Sequence, residues 1–271
     1  LLWLYPPTTL MALAPFGAIP YPVAKAVWLF LTAAFLAGVG FLVSRRNVVL
    51  AGAALLSPAF FSMAYTGQIS VIFAALCVGG LLMSKSRPVL AGICIGLLTM
   101  KPQFGVLIPV FLLATGAYRA FAIAAVVSIV LFLLSVGVFG FSAWQAFFES
   151  LTSQHKDFSE LGNVSGRYTL ADTLRNFTAL PVSPGMLALS LSAIAACAIV
   201  FARRAGADHA SLAAFAIMAT VTSSGYVWVY DWALVIFAIF IFISAQPGLG
   251  EKSQLGFIGA WYAPMAPYLG G

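Results

Sequence analysis

Apolar runs separated by short polar or basic punctuation make up most of the chain. The clearest runs are Val23–Val43, Val48–Tyr65, Ile69–Met83, Phe121–Phe139, Met186–Phe201 and Ala233–Ile243. Several are short and extend into their flanks towards the roughly 18–23 apolar residues that let a helix cross a bilayer. A further stretch, Pro88–Ala114, is interrupted at Met100-Lys101-Pro102-Gln103. The proline removes a backbone donor, so this stretch predicts two helices of about twelve residues, roughly 18 Å each. Each is shorter than a hydrocarbon core of about 30 Å, and the pair therefore predicts a short hairpin with its tip towards one membrane side.

Basic residues punctuate the runs at Arg45–Arg46, Lys85, Arg87, Arg119 and Arg203–Arg204. Cytoplasmic loops carry the excess of lysine and arginine, so these clusters orient the chain. Gly67–Gln68, the Lys101 tip, Phe141–Leu180 and the segment Ser223 to Asp231 then fall on the outer side, the last reached by a rising helix over Ala210–Thr222. The whole formal net charge of +6 lies on the arginine side. The outer charges cancel: Lys25, Lys101, Lys156, Arg167 and Arg175 stand against Glu149, Asp157, Glu160, Asp172 and Asp231. Within the outer loop, Trp144, Phe147 and Phe148 share one helical face and predict an interfacial helix on the outer leaflet. Thr169–Phe177 predicts a second short helix with Thr169 as its cap.

Composition excludes a soluble fold. Of 271 residues, 62% are hydrophobic and 7% charged, with a mean hydropathy of +1.05, whereas a soluble domain carries about 25% charged residues. The expected fold class is all-α, a polytopic transmembrane helical bundle with re-entrant or short helices and an outer interfacial helix. Residues 1–271 form one transmembrane domain, with 141–180 as an extracytoplasmic loop. The basic balance reads as topology, not as nucleic-acid binding. Cys77, Cys94 and Cys197 sit inside apolar runs and read as packing residues. The chain opens on Leu1 and is read as a fragment whose upstream part is missing.

Four polar clusters reach the outer side: Tyr5-Pro6-Pro7, Gly67-Gln68, Lys101-Pro102-Gln103, and Tyr226 to Asp231. Polar groups at membrane depth are costly and mark a cavity or partner. Lys101 reads as a point charge for the phosphate of a lipid substrate; alternatively it snorkels to the surface or pairs structurally with Asp231. Asp231 reads as a carboxylate that orients a hydroxyl or counters Lys101, or as an acid at a helix N-terminus. Gln68 suits a sugar hydroxyl or a polar cap. Tyr5, Gln103 and Tyr230 complete the candidate substrate-binding set. Tyr5-Pro6-Pro7 sets a rigid turn before a short apolar helix ending at Pro20. His155, Arg167 and Arg175 read first as solvated loop residues, and Asn163-Val-Ser and Asn176-Phe-Thr match glycosylation acceptor patterns. No His, Asp or Glu spacing suits a metal, and no cofactor is expected.

These segments in this order resemble glycosyltransferase family 87: Tyr5-Pro6-Pro7, Leu13-Ala14-Pro15-Phe16, Trp28, Gly67-Gln68, Arg87-Pro88-Val89-Leu90-Ala91-Gly92, Lys101-Pro102-Gln103 and Tyr230-Asp231. The resemblance covers roughly Tyr5 to Ile243. It implies a C-type membrane fold and a mannose-like hexose on a polyprenyl-phosphate donor. It also implies a glycolipid or glycan acceptor, inverting displacement at the extracytoplasmic face, and a bacterial inner-membrane location. The family's catalytic carboxylate lies in an outer loop before the Tyr-Pro-Pro motif. Here that loop would precede Leu1, so the catalytic residue is unknown and the fragment alone is expected to be inactive. The alternatives are a lipid-linked sugar flippase or transporter, to which broken helices are also suited, and a non-catalytic membrane subunit.

Overall fold

A computed structural model describes residues 5–44, 46–160, 184–224 and 227–245, and these are organised as helices. In chain order they are α1 (Pro7–Leu13), α2 (Tyr21–Val43), α3 (Val48–Leu55), α4 (Pro58–Thr66), α5 (Ser70–Met83) and α6 (Pro88–Gly96). There follow α7 (Ile108–Ala114), α8 (Tyr118–Phe139), α9 (Phe141–Glu160), α10 (Pro184–Arg204), α11 (His209–Ser223) and α12 (Ala233–Ala245). Among the described residues, α2, α8 and residues 185–204 of α10 are long and apolar enough to cross a membrane.

Burial is distributed in the opposite sense to length. Short α5 and α12 form the centre, with Val71, Phe73, Ala74, Val78, Leu234, Phe237 and Phe240 all at most 2% exposed. Helices α2, α6 and α11 pack around them. Long α2 and α8 are peripheral and turn Phe30, Leu42, Leu133 and Val138 outwards. In water such a continuous apolar exterior would drive aggregation. Facing lipid, it is the natural exterior of a membrane bundle.

Two local features depart from the expected pattern. The run Val48–Tyr65 is not one straight helix: α3 and α4 meet at a 44° bend. The Ser57-Pro58 pair restarts the helix, because Ser57 Oγ accepts from the Phe60 N–H at 3.2 Å and proline fits the first helical turn. The stretch from Phe141, expected as a short helix and then loop, is helical throughout Phe141–Glu160. Its aromatic face is also not simply laid on lipid. Trp144 and Phe147 are buried, Trp144 Nε1 donates to Ser135 Oγ of α8 at 2.9 Å, and Phe148 is exposed. The indole N–H finds a partner inside the protein and so holds α9 against α8. Thr169–Phe177, Asp172, Arg167, Arg175 and both glycosylation patterns lie outside the described residues, as does the side chain of His155.

The interrupted stretch Pro88–Ala114 does turn back on itself. Helix α6 runs beside α8 in the same direction. A Cβ on Gly92 would meet Ile123 at 2.6 Å and the Ala120 carbonyl at 2.9 Å, and one on Gly96 would meet Val127 at 2.5 Å and the Ala124 carbonyl at 3.0 Å. Small residues four apart let the two backbones approach closely, as in other membrane helix pairs. One turn further, Thr99 Oγ1 donates to Ser128 Oγ at 2.8 Å. After Lys101 the chain returns along α7 to the start of α8, where the Ala117 N–H reaches the Leu112 carbonyl at 2.8 Å. The two arms and α8 line an open and mainly apolar groove of about 470 Å³ that includes Leu98, Pro102, Gly105, Leu112, Ala125 and Ser128.

Candidate functional site

The hairpin tip is where the chain's distant polar residues meet. Proline at 102 ends the first arm, and the turns on either side are 3-10 helices, Leu97–Met100 and Pro102–Phe104. The Lys101 side chain points inwards from this break and is 1% exposed. Its ammonium forms a salt bridge with Asp231 Oδ1 and donates to Ser70 Oγ. Ser70 Oγ in turn donates to the same carboxylate oxygen at 2.7 Å. The other carboxylate oxygen, Oδ2, accepts from the Trp228 N–H at 3.1 Å, while the Asp231 N–H returns a bond to the Trp228 carbonyl at 2.8 Å. Asp231 thus caps the 3-10 turn Val229–Trp232 that opens α12, and it neutralises a buried cation with the same side chain.

Three aromatic rings complete the surroundings of the ammonium: Phe104 at 4.8 Å, Tyr230 at 5.2 Å and Tyr5 at 5.9 Å from Nζ to ring centroid. The ring faces are electron-rich and favour a cation, the more so out of water. Tyr5 also donates its phenolic hydrogen to Gln68 Oε1. Helix α1, which Tyr5 precedes, is tied to the tip where Thr9 Oγ1 donates to the Met100 carbonyl at 2.7 Å. The result has two tiers. Lys101, Ser70 and Asp231 form a closed floor, half-buried Tyr5, Gln68 and Tyr230 form a rim around it, and half-buried Gln103 follows on the same tip.

Of the candidate residues, Tyr5, Gln68, Lys101, Tyr230 and Asp231 come together, and Gln103 lies on the same tip. Lys101 does not snorkel; its charge is met inside the protein by Asp231. Trp228 and Tyr230 stack with centroids 6.2 Å apart, while Tyr226 lies outside the described residues. The sequence reading missed Ser70, Thr9 and Phe104. The signal for Ser70 was present: a hydroxyl residue at the start of an apolar run, two positions after Gln68. Among the described residues no group of three or more His, Cys, Asp and Glu side chains is placed to hold a metal ion.

A second polar contact marks the other end of α5. His209 Nε2 lies 2.9 Å from the Leu81 carbonyl and 3.2 Å from Ser84 Oγ, with the ring against Phe111 at 5.2 Å. From Ser70 to Leu81 the helix rises roughly 17 Å. The Lys101 cluster and the end bearing Lys85 and Arg203 are therefore opposite ends of one bundle.

The fold and this cluster define a polytopic α-helical membrane protein with a buried ionic site at the tip of a broken hairpin. The sequence model of glycosyltransferase family 87 matches residues 3–245, nearly the whole chain. The protein belongs to glycosyltransferase family 87, and is accordingly a membrane glycosyltransferase. No curated protein and no solved structure matches the chain.

Proposed function

We propose that the protein transfers a mannose-like hexose from a polyprenyl-phosphate donor to a hydroxyl of a glycolipid or glycan, at the extracytoplasmic face of a bacterial inner membrane. The observation that carries this reading is a hairpin tip that serves both: Lys101 and its polar neighbours gather at the break, and Pro102 and Gly105 of the same tip line an open, mainly apolar groove. A lipid-linked sugar needs such a junction, with its chain among helices and its head group among hydrogen-bonding side chains. A volume of about 470 Å³ holds several isoprenoid-sized segments.

In the transfer, the acceptor oxygen forms a bond to the sugar's anomeric carbon as the bond from that carbon to the phosphate oxygen breaks. The electron pair leaves on the phosphate, the donor lipid departs as a phosphomonoester, and the acceptor proton passes to a base. Attack from the face opposite the leaving group inverts the anomeric centre. Negative charge grows on the phosphate, so oriented donors at the rim favour the transition state. Gln68 and Gln103 supply amide donors, and Tyr5 and Tyr230 supply ring faces and hydroxyls for the sugar; Lys101, neutralised by Asp231, holds the floor beneath them. Asp231 is not assigned as the base: it is 0% exposed and accepts three hydrogen bonds.

The test is a reconstituted full-length protein supplied with radiolabelled polyprenyl-phosphate mannose and a glycolipid acceptor. Label in the acceptor supports the reading. Movement of the intact donor across the bilayer without transfer overturns it.

A further inference from the structure

Ser70 has no part in the chemistry above, yet the floor of the site closes on its hydroxyl. That hydroxyl accepts from the Lys101 ammonium and donates its single hydrogen to Asp231 Oδ1 at 2.7 Å. One hydrogen and two fixed partners leave it one orientation. Lys101 and Asp231 already pair directly, so Ser70 is not needed to balance the charge. It also does not cap its own helix, since α5 begins with no side-chain cap. What the bond adds is location: it pins the start of α5 to residues 31 and 161 positions away.

The residues just before Ser70 form a sharp corner. Gly67 ends α4 with φ of +70°, a left-handed conformation that favours glycine. The Gly67 N–H bonds to the Met63 carbonyl at 2.7 Å, and the Gln68 N–H reaches the same carbonyl at 3.2 Å. Gln68 is therefore clamped on one side by the end of α4 and on the other by Ser70, and its side-chain oxygen receives the Tyr5 hydroxyl. Ser70 itself is 0% exposed and has no surface to offer a substrate.

We propose that Ser70 is a positioning residue for glycosyl transfer: anchored to Lys101 and Asp231, it holds the Gly67–Ile69 corner so that Gln68, paired with Tyr5, faces the sugar. The proposal rests on the transferase reading for its kinetic consequence but not for its geometry. Two measurements on the full-length protein separate these. In hydrogen–deuterium exchange, Ser70→Ala is expected to speed exchange across residues 64–70 about tenfold while the remainder of α5 and the α8 amides keep their protection. Unchanged exchange in that segment overturns the proposal, as does a uniform rise through the whole bundle, which marks a general loss of stability. In the transfer assay, Ser70→Ala is expected to lower kcat/KM about tenfold, and Ser70→Ala with Tyr5→Phe to be little worse than Tyr5→Phe alone, because the two act through one amide. Additive losses overturn the proposal. A wild-type protein that transfers no sugar defeats the transferase reading, and the exchange result then judges the positioning role by itself.

Discussion

Lys101 and Asp231 show how a membrane interior treats an ammonium and a carboxylate that cannot reach water. Separately each would carry a large desolvation cost; together, with Ser70 and the Trp228 N–H, every donor direction but those facing aromatic rings is satisfied. Removing one partner strands the other. Lys101→Met or Asp231→Leu alone is expected to lower stability by about 3–5 kcal/mol, while the double replacement recovers most of it, because a buried pair exchanged for apolar side chains is close to neutral. Thermal unfolding of the detergent-solubilised protein measures this. If the double variant loses as much as the sum of the singles, the two residues do not act as a pair. The candidate polar residues were legible in the sequence because a lysine, an aspartate and glutamines stand out among apolar neighbours. Their pairing was one of the readings the sequence left open, since opposite charges allow it but no local pattern connects residue 101 to residue 231, and the structure decides for it. Ser70 was overlooked because serine is cheap in a helix and carries no charge to draw attention.

At the level of elements, one helix–helix contact and one helix cap lead to distinct predictions. Glycine in a helix interior is about 1 kcal/mol worse than alanine when nothing else intervenes. At Gly96 the sign reverses, because a Cβ would stand 2.5 Å from Val127 Cβ and 3.0 Å from the Ala124 carbonyl oxygen of the neighbouring α8. Gly96→Ala is expected to lower the unfolding temperature, and a rise would show that α6 and α8 are not in close contact. At the start of α11, Asp208 Oδ1 accepts from the Ala210 and Ser211 N–H groups at 3.0 Å each. Hydrogen bonding from Ser211 holds the Asp208 carboxyl below its usual value. A depressed carboxyl stabilises the fold above its unfolded pKa of about 3.9 and loses that contribution as pH falls through the folded value. Asp208→Ala is expected to cost about 1 kcal/mol at neutral pH, and Asp208→Asn to retain the cap while losing the acid-side pH dependence. The apolar runs announced most of these helices, and Asp208 and Ser57 show that caps were also written locally. The bend between α3 and α4 was not read because the apolar pattern continues through Ser57-Pro58. The inward turn of Trp144 depends on Ser135, whose partner is visible only once α8 and α9 are packed.

Across the whole molecule, long apolar helices form the lipid-facing exterior and short ones the centre, and polar groups gather at the two ends of α5. The hairpin groove is lined by both arms of the hairpin and by α8. Filling it with Ala125→Trp is expected to raise KM for a long-chain polyprenyl donor several-fold, with much less effect on a short-chain analogue. Equal effects on both donors would place the lipid chain elsewhere. Length and apolar pattern made the membrane class plain from the sequence, because few solvents other than lipid accept so apolar a surface. The two-tier site needed three dimensions, since its residues come from four separate segments.

Sugar transfer is expected at the Lys101 end of the bundle, on the side opposite Lys85 and Arg203. Full-length Gln103→Cys and Lys85→Cys variants in right-side-out vesicles, treated with an impermeant thiol reagent with and without polyprenyl-phosphate mannose, decide the matter by labelling above the level of the unsubstituted protein. External reagent is expected to label Gln103→Cys, the donor to protect it, and Lys85→Cys to be labelled only when the inner face is exposed. Labelling of Gln103→Cys from the inner face alone would contradict this.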